Sequence, residues 1–263
     1  MKIISLNCWC GKLYNPLVGF LKSQAGKIDI FSFQEIVFGG PDDFFSQHGL
    51  RGQLFERIRE ILKGYKAYKA LVPDSFFGGD DYHLVNGSEI GQTIFVKEDI
   101  NVLESGSFLA YPKDKNPFKK NVRGNVTGRC QYVKVEIDDK KLLMVNVHGL
   151  WQPVGKNDTK ERLEQSKIIL KFVEKHNIPA VVIGDFNLQP KTQSIEMLSQ
   201  RFKNLIAENG IKTTRSRFYF DMEKYKDYIA DYAFVDSNLK LEEFVVLKDE
   251  VSDHLPLLLE INP

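Results

Sequence analysis

Cysteine is scarce in this sequence, with Cys8, Cys10 and Cys130 alone among 263 residues. An odd number, two of them one residue apart, makes no disulfide framework for a chain of this size, so a reduced, intracellular and cytoplasmic location is expected. Charge of one sign is also lacking. The 36 Lys and Arg against 35 Asp and Glu leave a net charge of +1, which removes any global pull toward nucleic acid or anionic membrane and leaves polyanion binding to local patches. No apolar run approaches the roughly 20 residues of a membrane span. Met1-Lys2 runs straight into a short apolar strand bearing Asn7, without the pattern of a secretory leader. Repeats, low-complexity linkers and breaks in composition are missing as well. One domain over residues 1–263, monomeric and without a membrane span, is therefore expected.

What is present is ordinary core material, 43% hydrophobic against 27% charged, which excludes wholesale disorder. Ile3 to Leu6, a helix over Leu13 to Ala25 stopped by Gly26, and a strand over Ile28 to Gln34 read as a β-α-β opening. A second amphipathic helix is expected over Leu54 to Leu62, with strands over Ala67 to Val72 and Gly91 to Val96. Gln131 to Ile137 and Leu142 to His148 flank an Asp-Asp-Lys-Lys turn and read as a hairpin. Asp158 followed by Glu161 resembles a capping box for a helix reaching Glu174. Ile178 to Ile183, Ile229 to Val235, Leu241 to Leu247 and Leu255 to Ile261 complete the strands. Strands alternating with helices in places and pairing directly in others predict a mixed pair of sheets covered by helices.

The informative residues stand where apolar runs end. Asn7, Glu35, His148, Asp185 and Asn187 each follow such a run, and Asp253 and His254 immediately precede Leu255-Pro256-Leu257-Leu258-Leu259. Buried strands with polar ends are a common way for a sheet to assemble an active site from distant sequence. Three carboxylates and two amide oxygens among these residues are hard donors that suit Mg²⁺, or Mn²⁺, rather than zinc. If strand geometry persists past Asp185, Asn187 points to the same side. Taken singly, each residue is more often a turn former, a cap or a core histidine. Glu35 differs, because a glutamate ending so apolar a strand needs a cation or donor beside it.

Five segments then occur in a set order: Ser5-Leu6-Asn7, Phe33-Gln34-Glu35, Val145-Asn146-Val147-His148-Gly149, Gly184-Asp185-Phe186-Asn187 and Ser252-Asp253-His254. In that order the chain resembles the endonuclease/exonuclease/phosphatase superfamily over essentially its whole length. The resemblance implies an α/β, deoxyribonuclease I-like four-layered sandwich, two packed mixed β-sheets flanked by helices. It further implies Glu35 as main metal ligand with Asn7 beside it and Asp253 as a further one. His254 would contact the scissile phosphate, with Asp231 orienting it, although Asp227 lies close by in sequence. Asp185 would be the acid/base carboxylate, Asn187 a phosphate ligand and Arg129 a phosphate contact. A histidine at 148, where exonuclease III-type apurinic endonucleases carry asparagine, sets those enzymes aside.

Substrate class has weaker signals. Lys113 to Arg129 holds Lys119, Lys120 and Arg123 against one acid, and Lys212, Arg215 and Arg217 precede Phe218-Tyr219-Phe220. Basic side chains with aromatic neighbours suit a phosphate backbone with stacked bases, and Trp151 is a candidate for stacking on a base or leaving group. A Mg²⁺-dependent phosphodiesterase acting on nucleic acid or a nucleic-acid adduct is the first expectation. A phosphatase or sphingomyelinase-like hydrolase of a small-molecule or lipid phosphoester is the second, and a non-catalytic binding protein retaining the fold the third. Cys8-X-Cys10 lacks a second Cys/His pair, so a metal site there is not expected.

Overall fold

The computed structural model describes residues 1–41, 50–71, 88–110, 128–152, 154–220 and 227–263. The elements run β1 (Lys2–Asn7), α1 (Tyr14–Gln24), β2 (Ile30–Gly39), α2 (Leu54–Ile61), β3 (Tyr65–Leu71), β4 (Ser88–Lys97), β5 (Asn101–Leu109), β6 (Arg129–Ile137) and β7 (Lys140–His148). They continue with α3 (Lys160–His176), β8 (Ala180–Asp185), α4 (Gln193–Arg201), β9 (Lys203–Asn204), α5 (Leu205–Glu208), β10 (Asp231–Val235), β11 (Lys240–Val246) and β12 (Leu257–Asn262).

Two mixed six-stranded sheets result, ordered β11-β12-β1-β2-β4-β3 and β5-β6-β7-β8-β10-β9. In the first, β1 and β2 are parallel, and in the second, β7 and β8. Alternation along β1 shows how the layers form. Ile3 joins the core between the sheets with Val145 and Ile183, whereas Ile4 and Leu6 face the other way onto Leu17, Phe20 and Leu54 of α1 and α2. On the second sheet, Ile169 and Val173 of α3 and Ile195 and Leu198 of α4 supply the cover. Each such side chain, fully buried, contributes about 1.5–3 kcal/mol.

Polar side chains also cross between the sheets. Gln34 donates to Ser5 Oγ at 3.3 Å and to Asn146 Oδ1 at 2.6 Å, while Asn146 donates to the Phe33 carbonyl at 3.1 Å. A slip of one sheet against the other would leave these buried groups unpaired, so the middle of β2 and the end of β7 are held in one relative position. No described helix is long and apolar enough to cross a membrane.

Several sequence expectations need correction. β2 does not end at Glu35 but continues to Gly39, with a register shift between Phe33 and Ile36 and φ of 54° at Glu35. The cap of α3 is Thr159, whose hydroxyl accepts from Arg162 N at 3.2 Å, and not Asp158. Asp158 instead accepts from Gln193 N and Ser194 N, at 2.6 and 3.0 Å, near the start of α4. β5 and α4 had no counterpart in the sequence reading. Cys8 and Cys10 are buried and free around a short 3₁₀ turn.

Candidate active site

The site forms because two parallel strand pairs end at the same edge. In the first sheet Asn7 lies opposite Gln34, which places Glu35 beside it. In the second sheet Arg129 lies opposite His148, His148 opposite Asp185, and Asp185 opposite Asp231. One row across four strands thus carries four of the predicted residues. Asp253 and His254 arrive from the chain just before β12, and backbone bonds from Ser216 N to Asp253 O and from Leu255 N to Thr214 O tie them to residues 214–216.

A continuous set of contacts joins the two sheets. Asn7 Nδ2 donates to Glu35 Oε1 at 3.0 Å and to Asp185 Oδ2 at 3.2 Å, and its Oδ1 accepts from Trp9 N. His148 Nε2 stands 3.4 Å from Glu35 Oε1. His254 Nε2 stands 3.6 Å from Asp185 Oδ2, and its Nδ1 lies 2.8 and 2.9 Å from the two Asp231 oxygens. Thr214 donates to Asp231 Oδ2 at 2.7 Å, which fixes the carboxylate that in turn fixes the imidazole. Asp227 has no such contact with His254 among the described residues.

Two local backbone features aim these groups. Glu35 and Asn187 both adopt positive φ, 54° and 55°, a conformation that costs a non-glycine residue energy and is concentrated at functional sites. At Glu35 it accompanies the bulge that turns the carboxylate to the sheet edge. At Asn187 it breaks the strand geometry expected beyond Asp185, yet a turn restores the convergence, with Asn187 N donating to Asp185 Oδ1 at 2.8 Å. Asn187 Nδ2 donates to the Gly149 carbonyl at 3.1 Å. A side chain on Gly149 would lie 2.2 Å from the Phe186 carbonyl oxygen, so only glycine lets the loop after His148 approach Asn187 this closely.

Lys156 and Arg215 complete the constellation. Lys156 is 7% exposed and donates to Asn187 Oδ1 at 2.6 Å. Arg215, 3% exposed, pairs with His254 Nε2 and lies 3.5 Å from Asp253 Oδ2. The sequence carries no distinguishing signal for Lys156, and Arg215 was grouped with Lys212 and Arg217 as a surface patch. That grouping was wrong for Arg215, which is buried in the site. Lys212 and Arg217 are exposed, and Arg217 pairs with Glu250 at 2.9 Å.

Electrostatics divides the residues. Burial opposes ionisation of Asp185, but Lys156, His254, Arg215 and His148 outweigh it and hold the carboxyl well below the usual range. Burial likewise opposes the charge of Glu35, and the hydrogen bond and charge of His148, with the Asn7 amide, bring its carboxyl below the ordinary value. Asp253 is pushed the other way, chiefly by burial and then by Glu35 and Asp185 beside it, despite His254 and Arg215. The imidazole of His254 is raised, since Asp231, Asp253 and Asp185 overcome burial and Arg215. Burial and the nearby Arg215 lower Lys156 to about 8, against the pull of Asp185, Asp231 and Asp253.

The oxygen donors at the Glu35 end fit a divalent ion. Glu35, Asn7 and Asp253 offer hard donors, and the like charges that push Asp253 up are what a cation would relieve. The side chain of Glu35 is 23% exposed while that of Asp185 is 3% exposed, so the approach from solvent lies on the Glu35 side. Asp185, Asp231 and His254 also cluster tightly enough to hold an ion, but both Asp231 oxygens already serve His254 and Thr214.

Not every predicted residue joins the group. Arg129 directs its guanidinium to Ser107 Oγ at 2.7 Å, away from the carboxylates. Trp151 is 42% exposed in the loop after His148, open for contact with a ligand rather than packed in the core. Lys119, Lys120 and Arg123 lie outside the described residues.

No family model matches the sequence, and no curated protein does either. Solved structures do match in fold. A mannosyl-6-phosphatase of Bacteroides thetaiotaomicron is 20% identical with a TM-score of 0.67, covering 100% of this chain and 99% of that one. An endonuclease/exonuclease/phosphatase family protein of Leptotrichia buccalis is 16% identical with a TM-score of 0.71, covering 100% and 99%. The catalytic domain of human Nocturnin, with bound sulfate, is 15% identical with a TM-score of 0.63, covering 100% and 93%. With its two mixed sheets flanked by helices and these likenesses, the chain has the deoxyribonuclease I-like fold of the endonuclease/exonuclease/phosphatase superfamily.

Proposed function

We propose that the chain is a divalent-metal-dependent phosphoester hydrolase, acting as one catalytic domain over residues 1–263 and as a monomer. One observation carries this reading: Asn7 bridges Glu35 and Asp185, and Asp185 faces a histidine whose other nitrogen is held by Asp231. A binding module has no use for a buried carboxylate opposite an oriented imidazole. Glu35, Asn7 and Asp253 would hold Mg²⁺ or Mn²⁺, which when bound offsets charge on the phosphoester and on the leaving oxygen.

The protein's own groups supply the rest. Asp185 stays ionised and can accept a proton from an attacking water, an arrangement worth about 10²- to 10⁴-fold. His254, its Nδ1 held by Asp231 and its Nε2 paired with Arg215, would contact the phosphate and give a proton to the leaving oxygen once Arg215 turns from Nε2 to the phosphate. Asn187 and Lys156 would meet the equatorial phosphate oxygens as these gain charge, and a well-placed donor contributes roughly 3–4 kcal/mol there. His148 braces Glu35 from the second sheet.

The basic segments behind the polynucleotide expectation stand differently in the structure. That expectation rested on two; Lys119 and Lys120 of the first lie outside the described residues, and Arg215 of the second is in the site rather than on the surface. The test is hydrolysis of p-nitrophenyl phosphate and bis-p-nitrophenyl phosphate with Mg²⁺ or Mn²⁺. Metal-dependent turnover is expected, sharply slowed by His254→Ala and needing more metal in Glu35→Gln. Turnover that ignores metal, or is unchanged by both substitutions, contradicts the reading.

A further inference from the structure

We propose that Lys156 and Arg215 together form a receptor for a terminal, doubly charged phosphate, which makes the substrate class of this site a phosphomonoester. The inference rests on the phosphoester hydrolase reading and names its substrate.

Both cations are buried, which is rare for these residue types without an anion beside them, and only Arg215 has a described carboxylate within ion-pair distance, Asp253 at 3.5 Å. The Lys156 ammonium has a single hydrogen-bond partner among the described residues, the neutral Asn187 Oδ1 at 2.6 Å. An ammonium carries three donors, and no described carboxylate lies within ion-pair distance of this one. Arg215 spends Nη1 on Asp253 and His254, while its Nε is buried with no partner among the described residues. Its guanidinium lies over the Tyr219 ring, 4.3 Å from the centroid, which fixes the plane of the fork. Donors left over on two buried cations are what an incoming anion would satisfy.

Their positions bracket the reacting groups. Lys156 reaches the Asp185 and His254 pair through Asn187, from the loop between β7 and α3. Arg215 reaches it through His254 itself, from the segment paired with Asp253 and His254. A phosphodiester brings one negative charge and two free oxygens, whereas a monoester at neutral pH brings close to two charges and three oxygens. Two cations with spare donors match the second better, because charge-assisted bonds to phosphate oxygens are about twice as strong as neutral ones. In the reaction, water oxygen bonds to phosphorus as the ester P–O bond breaks. A proton passes from the water to Asp185 and one from His254 to the leaving oxygen, so an alcohol and inorganic phosphate are released.

The experiment compares kcat/KM for p-nitrophenyl phosphate and bis-p-nitrophenyl phosphate in the wild type, Lys156→Met, Lys156→Arg and Arg215→Met. Inorganic phosphate is titrated calorimetrically into each, and thermal unfolding checks the fold. The wild type is expected to favour the monoester. Lys156→Met should lose about 10- to 100-fold on the monoester, the size of a charge-assisted bond, and less than about 3-fold on the diester. Lys156→Arg should recover part of the loss, and phosphate binding should weaken in step. Preference for the diester in the wild type, or equal losses on both substrates, would overturn the proposal. If the folded wild type hydrolyses neither substrate, the hydrolase reading fails, and phosphate binding unaffected by Lys156→Met then overturns the receptor as well.

Discussion

The two sheets contribute opposite halves to one cleft. The first sheet brings Asn7, Glu35 and Asp253, oxygen donors that crowd one another until burial and like charge push Asp253 up. The second brings Asp185 and Asn187 with Lys156 close by, and there the cations prevail, holding the Asp185 carboxyl well below the usual range against the cost of burial. One half therefore suits a cation and the other an anion. His254 stands at the boundary, within reach of Asp185 on one side and Asp253 on the other, and Arg215 pairs with both His254 and Asp253. The Glu35 end thus gathers oxygen donors while the Asn187 end carries Lys156, and a phosphoester with a metal ion is a ligand that needs both.

Breaking the boundary should have the largest effect. His254→Ala is expected to lower kcat by about 10²- to 10⁴-fold while Mn²⁺ affinity moves less than about 3-fold, measured by steady-state kinetics and calorimetry. Damage to the cation half comes next. Glu35→Gln should weaken activating Mg²⁺ by about 10- to 100-fold, seen as a shift in the metal concentration for half-maximal rate.

The anion half can be titrated. Lys156 loses its proton as pH rises through about 8, so its charge is present below that pH and gone above it. The groups around it are Asn187, Arg215, Tyr228, Asp185, Asp231 and Asp253, and it is the one lysine among them. KM for a phosphate ester should therefore rise above pH 8, by about tenfold at pH 9. Lys156→Arg should flatten that limb, since arginine stays protonated throughout; an unchanged profile would separate the limb from Lys156. The smallest effect is expected at Arg129. With its guanidinium on Ser107, Arg129→Gln should change kcat/KM by less than about 3-fold, and a larger loss would show that it reaches the substrate.

Much of the frame was legible because buried strands are apolar in sequence. β1, β2, β7 and β8 stand out as runs of Ile, Leu, Phe and Val, and the polar residue after each run marks the sheet edge. β5 escaped because it is an edge strand exposed along most of its length, with Glu104, Ser105, Gly106 and Ser107 in the middle. The bulge at Glu35 escaped because no glycine marks it. Asp158 was misread for a tertiary reason: its carboxylate serves a helix that begins 35 residues later. Lys156 and Arg215 were invisible as site residues because burial of a cation is decided by what folds over it, and their neighbours in sequence are ordinary loop residues.

The division of the cleft is tested most directly by calorimetric titration of Mn²⁺ and of inorganic phosphate, separately, into the wild type, Glu35→Gln and Lys156→Met. The expected result is a crossed pattern. Glu35→Gln should lose Mn²⁺ binding by about 10-fold or more and keep phosphate, while Lys156→Met should lose phosphate by about 10-fold or more and keep Mn²⁺. Equal losses of both ligands in both variants, or Mn²⁺ binding that follows Lys156 and not Glu35, would contradict the account.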